Sequence, residues 1–496
     1  MSLAIAAGRA ASGFANASAI LFASLKGSAT SCPSHPSRLP QSLAFLFLFF
    51  FFIPLNAQIH QDTTKKPLIY YFQNGKTTGL WRNHFMFTDN TQNLIDFGAL
   101  ATSLNLQYKT LPLKNISFST GFSAVSNLWQ QNLLARDPQT NQPSRYEIGL
   151  YDVTNPNNYK AIFLLSDLSI HYAYKNWKAT LGKQLIRTPF INPQDGRMVP
   201  TLVEGLYVQK QEKKGNVEIG FLYKIAPRGV SKWYSVAQSI GIYPQGVQPN
   251  GTPSQYAGNT FSQGIGLLGY QKNIHSFMKM KLHNLYVDNI MNTAFFQMDF
   301  FQYDSSRQSQ WSFSVQTIRQ DALGNGGNIE AHKRYFTKNG KSMTFGGRLA
   351  WENAQWNFSL NYNRITAIGR FLIPREWGIE PFFTFLPRER SDGFGNAHAY
   401  ALKTAYSYKK SLKLALQSAY VQLPDVKNFA LNKYGMPSYW QNNLEIRFYP
   451  NGFFKNLELL ALFVYKYNIG ETYNQNKYLF NKTNMFQWNL ITNYRF

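Results

Sequence analysis

Two short arginine-bearing segments hold the residue types best suited to handling a small anion. Arg375-Glu376 and Arg388-Glu389-Arg390 bracket an aromatic run of Phe382, Phe383 and Phe385. A guanidinium forks onto a carboxylate through two parallel hydrogen bonds, which an ammonium cannot do. Several of them in a narrow passage would replace a carboxylate's water shell with fixed donors. The competing reading is structural, an Arg–Glu cluster that pins a surface loop. Arg364 and Arg370 either join the set or extend along a membrane edge on their apolar stems. Catalytic motifs fare poorly. Gly75-Lys76-Thr77 lacks the preceding glycine-rich loop of a phosphate cradle and reads as a turn. The 8 histidines include no HExxH and no pair four residues apart, and His171, His275, His283, His332 and His398 are scattered. A Ser-His-Asn type membrane hydrolase stays open, because such triads assemble in space rather than in sequence. No cofactor and no catalytic metal is expected; a structural Ca²⁺ held by loop acids is the one alternative.

The elements that must position these residues are strands. From about Leu68 onward apolar and polar residues alternate with period two, and turn residues separate the runs. Phe486, Trp488, Leu490, Thr492, Tyr494 and Phe496 share one face, and Gln487, Asn489, Asn493 and Arg495 share the other. The same alternation sets Leu457, Leu459, Ala461, Phe463 and Tyr465 against Glu458, Leu460 and Lys466. It sets Val217, Ile219, Phe221, Tyr223 and Ile225 against Glu218 and Lys224. Asn339-Gly340, Asn451-Gly452 and the run from Gly324 to Gly327 supply turns between such segments. In lipid every backbone polar group must be paired within the protein, so strands span a membrane only as a closed barrel. One parity then faces lipid and the other a wet lumen. At roughly 24 residues per strand with its connection, the chain makes about 16 to 18 strands, wide enough for a channel.

On that parity the lumen wall is basic. Lys109, Lys178, Lys224, Lys279, Lys281, Arg348, Lys403, Lys413, Arg447, Lys466 and Arg495 outnumber Glu218, Asp299, Glu445 and Glu458. Any one of them can simply solvate the wall or pair across strands. As a set they favour anions.

Composition agrees. Aromatic residues reach 16% and charged residues only 15%, while mean hydropathy is −0.31. A helical membrane protein would be far more apolar, and a soluble enzyme would carry more charge and fewer aromatics. The net charge of +25 raises nucleic acid as a partner, but the bases are spread along the chain rather than gathered into arms, so none is expected. Residues Leu43 to Leu55 read LAFLFLFFFFIPL, too short to span a bilayer but right for the apolar core of an export signal. Cleavage after Ala57 makes residues 1–57 a leader, with a possible over-extension before residue 40, and residues 58–496 one barrel domain. The sole cysteine, Cys32, falls in that leader.

Two segments carry a family resemblance. Residues 181–205 read LGKQLIRTPFINPQDGRMVPTLVEG, with Thr-Pro, an acidic residue before Arg, then Pro and a downstream Gly. Residues 373–392 read IPREWGIEPFFTFLPRERSD, and residues 432–438 read NKYGMPS. This resembles the OprD family of substrate-specific outer-membrane porins. The resemblance implies an all-β, transmembrane antiparallel up-and-down β-barrel of about 18 strands. Long extracellular loops would fold partly into the lumen, and a row of basic residues would guide carboxylate-bearing nutrients. Thr188-Pro189 to Pro200 would fall in a constriction loop, with Arg187, Asp195 and Arg197 as its charged lining.

The expectation is therefore a porin of the Gram-negative outer membrane for small, anionic or carboxylate-bearing nutrients, and not an enzyme. Its alternative is a general, weakly selective porin. Arg187, Asp195, Arg197, Arg375, Arg388 and Arg390 would form the constriction, with Lys224, Arg348, Lys413, Arg447 and Lys466 as wall charges. Tyr494 and Phe496 would be the C-terminal signal for the barrel assembly machinery. Outer-membrane lipid and lipopolysaccharide would surround the barrel, as a monomer rather than a trimer.

Overall fold

The computed structural model describes residues 66–496, apart from 92, 157–160 and 195–196. The expected leader, with its apolar run, lies outside the described residues, and so does Asp195.

A short helix, α1 (Leu68–Gln73), precedes β1 (Lys76–Asp89), β2 (Phe97–Lys109), β3 (Ile116–Gln130) and β4 (Ile162–Tyr174). There follow β5 (Trp177–Gln184), β6 (Leu202–Glu212), β7 (Gly215–Ala226), the two-residue β8 (Tyr234–Ser235) and β9 (Ile265–His275). Next come β10 (Met278–Val287), β11 (Met291–Asp304), β12 (Ser309–Ala322), β13 (Lys341–Glu352) and β14 (Trp356–Ile365). The last are β15 (Ala397–Tyr408), β16 (Leu412–Gln422), β17 (Tyr439–Phe448), β18 (Leu457–Asn468) and β19 (Met485–Arg495). All lie in one antiparallel sheet. β8 only flanks the end of β7, and β7 pairs directly with β9. The other 18 strands close the wall, because β1 pairs with β19 from Leu80 opposite Arg495 to Asp89 opposite Phe486. The expected all-β transmembrane barrel is borne out.

Alternation decides what each face does. On β19, Gln487, Asn489 and Asn493 are buried while Trp488, Leu490 and Tyr494 are exposed. The same inversion recurs around the wall: Leu168 and Ile170, Phe313, Leu349, Leu360, Leu402 and Leu416 all point outward and are exposed. Such a belt is stable only under lipid, where an unpaired backbone group costs several (~4) kcal/mol; closing β1 on β19 leaves no edge to pay it. No helix among the described residues is long and apolar enough to cross a membrane.

The connections differ by end. Residues 175–176, 213–214, 276–277, 305–308, 353–355 and 409–411 are tight turns, and the C-terminus lies at their end of the barrel. At the other end residues 131–161, 185–201, 227–264, 323–340, 366–396, 423–438 and 469–484 are long connections. Several turn inward, and the main hydrophobic core lies inside the barrel toward that end. There Phe190, Ile191, Phe371, Ile373 and Trp377 from the connections pack on Leu222, Ile225, Leu285, Val287 and Ile318 of the wall.

One expected wall charge is corrected. The pairing of β6 with β7 slips between Glu204 and Gly205, so that Glu204 faces Lys224 while Gly205 faces Leu222. This β-bulge inserts one residue and reverses the parity beyond it. Ile225 turns inward, fully buried, and Lys224, 47% exposed at its side chain, turns outward toward Glu204.

Candidate functional site

The connection 366–396 is laid along the inner wall by hydrogen bonds from inward-facing polar residues. Gln320 on β12 pairs with both the N–H and the carbonyl of Leu372, at 2.9 and 2.7 Å. Gln316 donates to the Pro381 carbonyl at 3.0 Å, and Asn363 on β14 accepts from the Thr384 N–H at 3.1 Å. Lys403 on β15 donates to the Phe385 carbonyl at 2.8 Å, and Gln441 on β17 to that of Pro387 at 2.8 Å. Arg388 then reaches Asn489 on β19 at 2.7 Å. The segment thus runs from β12 round to β19 and narrows the lumen as it goes.

Glu389 fastens its far end. Its carboxylate meets Lys466 Nζ at 2.5 Å and Arg145 Nη2 at 2.8 Å. Lys466 has no exposed surface. Burial alone would raise the Glu389 carboxyl, but Arg145 and then Lys466 outweigh it and hold it well below the usual carboxylate range. Arg390 pairs with Glu380 at 3.6 Å and donates to Gln194 Oε1 at 2.7 Å. Arg375 pairs with Asp392 at 2.7 Å and lies over the Tyr434 ring.

The connection 185–201 packs beneath it. Asn192 N–H donates to the Trp377 carbonyl at 3.1 Å. Gly378 must be glycine there, since a Cβ would lie 2.7 Å from the Phe190 carbonyl oxygen. The Arg197 carbonyl accepts from Arg82 on β1, and the Arg197 guanidinium donates to the Tyr146 carbonyl. Glu147, in the connection 131–161, accepts from Thr88 and Ser144. Burial raises its carboxyl, against those hydrogen bonds.

These contacts concentrate positive charge at one level of the lumen. Arg388 shares the Asn489 amide oxygen with His84 of β1, and Arg82, two residues before His84 on the same face, donates to the Arg197 carbonyl. Arg82 Nε donates to Asn493 Oδ1 at 2.6 Å, and His84 Nε2 lies 3.3 Å from Asn489 Oδ1. Arg388 has a backbone φ of 79°, a left-handed conformation that costs a non-glycine residue about 1–3 kcal/mol. The surrounding hydrogen bonds hold it there and aim its guanidinium at the wall.

Of the residues expected from sequence, Arg197 and Arg388 meet in this cluster. Arg390 and Arg375 belong to the same loop but are committed to Glu380 and Asp392. Arg187 is exposed at the start of its connection, between the buried Ile186 and Thr188. Toward the short-turn end Arg447 pairs with Glu445 and Glu458 at 2.6 and 3.0 Å, and Arg495 also meets Glu458. Arg348 and Lys413 keep lumen parity beside Thr344 and Ala415. Sequence reasoning missed Arg82 and His84, although Trp81, Phe85 and Phe87 alternate with them. It also missed Arg145, Glu147, Glu380 and Asp392, which lie in connections that have no period to read.

A second polar cluster lies in the wall of β3, β4 and β5. Ser119 Oγ is 2.8 Å from both His171 Nε2 and Asp167 Oδ1, and His171 Nδ1 is 3.0 Å from Thr180 Oγ1.

Among solved structures, the chain is similar to Pseudomonas aeruginosa OpdK with vanillate, at a TM-score of 0.64 and 11% identity over 86% of this chain and 99% of that one. It is similar to P. aeruginosa OccK9 (OpdG) at a TM-score of 0.64 and 13% identity, with 86% and 99% covered. Acinetobacter baumannii OccAB2 gives a TM-score of 0.63 and 13% identity, again over 86% and 99%. The fold is theirs. It is the barrel of OprD-type porins, the architecture that residues 181–205 and 373–392 suggest. No family model matches the sequence, and no curated protein matches it.

Proposed function

We propose that the chain is a porin of the outer membrane through which small carboxylate-bearing solutes diffuse, with Arg82, Arg197 and Arg388 as the selective level of the passage. The observation that carries this reading is the set of contacts that joins them, Arg388 to Asn489 beside His84 and Arg82 to Asn493 and the Arg197 carbonyl, where an inserted loop narrows a closed barrel. Fixed guanidiniums at a constriction replace part of an anion's hydration shell and repel cations. The vanillate bound to OpdK, itself a carboxylate, supports the solute class. The long connections would then be extracellular and the tight turns periplasmic. The barrel assembly machinery would insert the chain, and the barrel would work as a monomer.

The test is the zero-current potential of residues 58–496 in a planar bilayer across a salt gradient. Discrete, anion-selective steps are expected, with block by aromatic carboxylates. Replacing Arg82 and Arg388 by Gln removes two unit charges, each worth about 1 kcal/mol to an ion at ~4 Å in a watery lumen, so selectivity should fall by up to roughly thirtyfold. Cation-selective steps from the unaltered protein would overturn the selective level while leaving a channel.

One observation favours a catalytic reading, the Ser119–His171–Asp167 contact. The chemistry weighs against it. Asp167 holds the serine rather than the imidazole, and the neighbouring strand N–H groups are engaged in the ladder instead of forming an oxyanion hole. Ester turnover abolished by Ser119→Ala would reverse that judgement.

A further inference from the structure

The outer wall of β12 to β15, near the long-connection end, departs from the apolar belt. Ile318, Gln320, Ser342, Thr344, Asn363, Ile365 and Ala397 are buried on the inner face. Alternation therefore sends Arg319, Lys341, Arg364 and His398 outward. Register sets them side by side: Arg364 is opposite His398, Arg319 opposite Met343, and Lys341 opposite Asp321. Asp321 is the acid of the group and pairs with Arg319 at 2.7 Å. Arg364 donates to the carbonyl of Ile365 and to Asn396 Oδ1, both neutral acceptors, at 2.8 and 2.6 Å. Positive charge thus exceeds negative charge on this face. At the same end of the wall the outward positions of β17 and β18 hold Trp440 and Tyr467 instead. Phe345, directly opposite Arg364, and Leu360 and Leu402, deeper in the belt, are exposed.

A basic rim over an apolar wall matches an amphiphile with an anionic head and hydrocarbon tails. Guanidiniums favour phosphate, which they bind through paired hydrogen bonds. We propose that this face holds a phosphorylated lipid of the surrounding leaflet, its phosphate on Arg319, Lys341 and Arg364 and its acyl chains along Phe345, Leu360 and Leu402. The assignment rests on the barrel's being immersed in a membrane and not on what its lumen passes.

The experiment uses the full barrel in dodecyl maltoside micelles and measures binding of bis-phosphorylated lipid A and of its dephosphorylated form by native mass spectrometry. Folding of each variant is checked by heat-modifiable gel mobility, and channel conductance should not change. The unaltered protein should bind the phosphorylated lipid at least tenfold more tightly, and the Arg319→Gln/Lys341→Gln/Arg364→Gln variant should lose that preference. Equal binding by the variant would overturn the proposal. So would an equal loss from Lys183→Gln/Lys224→Gln, another outward basic pair, since the effect would then be one of overall charge. Displacement by inorganic phosphate at the lipid's own concentration would reduce the face to a free-ion site and also overturn it.

Discussion

Glu389 already occupies the basic groups that would draw a solute carboxylate toward the wall. It sits between Lys466 and Arg145, while its neighbour Arg388 turns to Asn489. Removing one partner of such a buried pair leaves an uncompensated charge and costs about 3–5 kcal/mol, enough to release the end of the inserted segment. Glu389→Gln should therefore raise single-channel conductance and add flicker between levels; a trace as quiet as that of the unaltered protein would show that the segment is fastened elsewhere. At this scale the sequence was legible where chemistry is local. Adjacent guanidiniums and carboxylates in 388–390 announced charged contacts, but not which partners each would find. Lys224 was misplaced because a bulge has no period. Its cause is a close approach at Gly205, where a Cβ would stand 2.1 Å from the Phe221 carbonyl oxygen.

The long connections are held together by a buried lysine, Lys433, and a half-buried one, Lys482. Lys433 Nζ donates to Tyr256 Oη at 3.0 Å and lies 4.6 and 5.1 Å from the Tyr256 and Tyr335 rings. Asp392, Glu376, Arg370 and Arg375 face it from the neighbouring segments. Lys482 donates to the carbonyls of Gly435 and Lys477, with Arg145, Glu389 and Lys477 facing it. Burial pulls each down to about 7 from an ordinary value of 10.5. Between those two values the closed arrangement binds fewer protons than an opened one, so closure strengthens as pH rises from about 7 to 10.5 and levels off beyond. Hydrogen exchange of residues 423–438 and 469–484 should slow across that window, after correction for intrinsic rates, and Lys433→Met with Lys482→Met should flatten the dependence. The strands beneath were readable because lipid and lumen impose period two on them. The inward path of 366–396 was foreshadowed only by the arginines of 375 and 388–390, whose chemistry suits a constriction, since the path itself depends on single amides such as Gln320, Asn363 and Gln441 that sit far apart in sequence.

Across the whole molecule, the wall is a run of neighbours joined at one seam. Phe496 marks it. Its carbonyl accepts from Gly79 N–H at 2.7 Å, and its ring covers Gly79 where any Cβ would clash at 2.3 Å. The ring also stacks on Tyr494. Phe496→Ala should slow the conversion of unfolded chain to the heat-modifiable form in lipid vesicles, and Gly79→Val should do so by displacing the same ring. Conversion at the unaltered rate in both would separate the terminal aromatic from closure. Every other wall pairing joins strands that follow one another along the chain, past the brief β8. Each of those hairpins needs only its neighbour along the chain, but the seam joins the first strand to the nineteenth. Until β19 is in place, β1 has one edge that no other strand of the wall satisfies, and an unclosed sheet presents two edges open to pairing with another molecule. A wall without β19 is therefore not a smaller channel but an aggregation hazard.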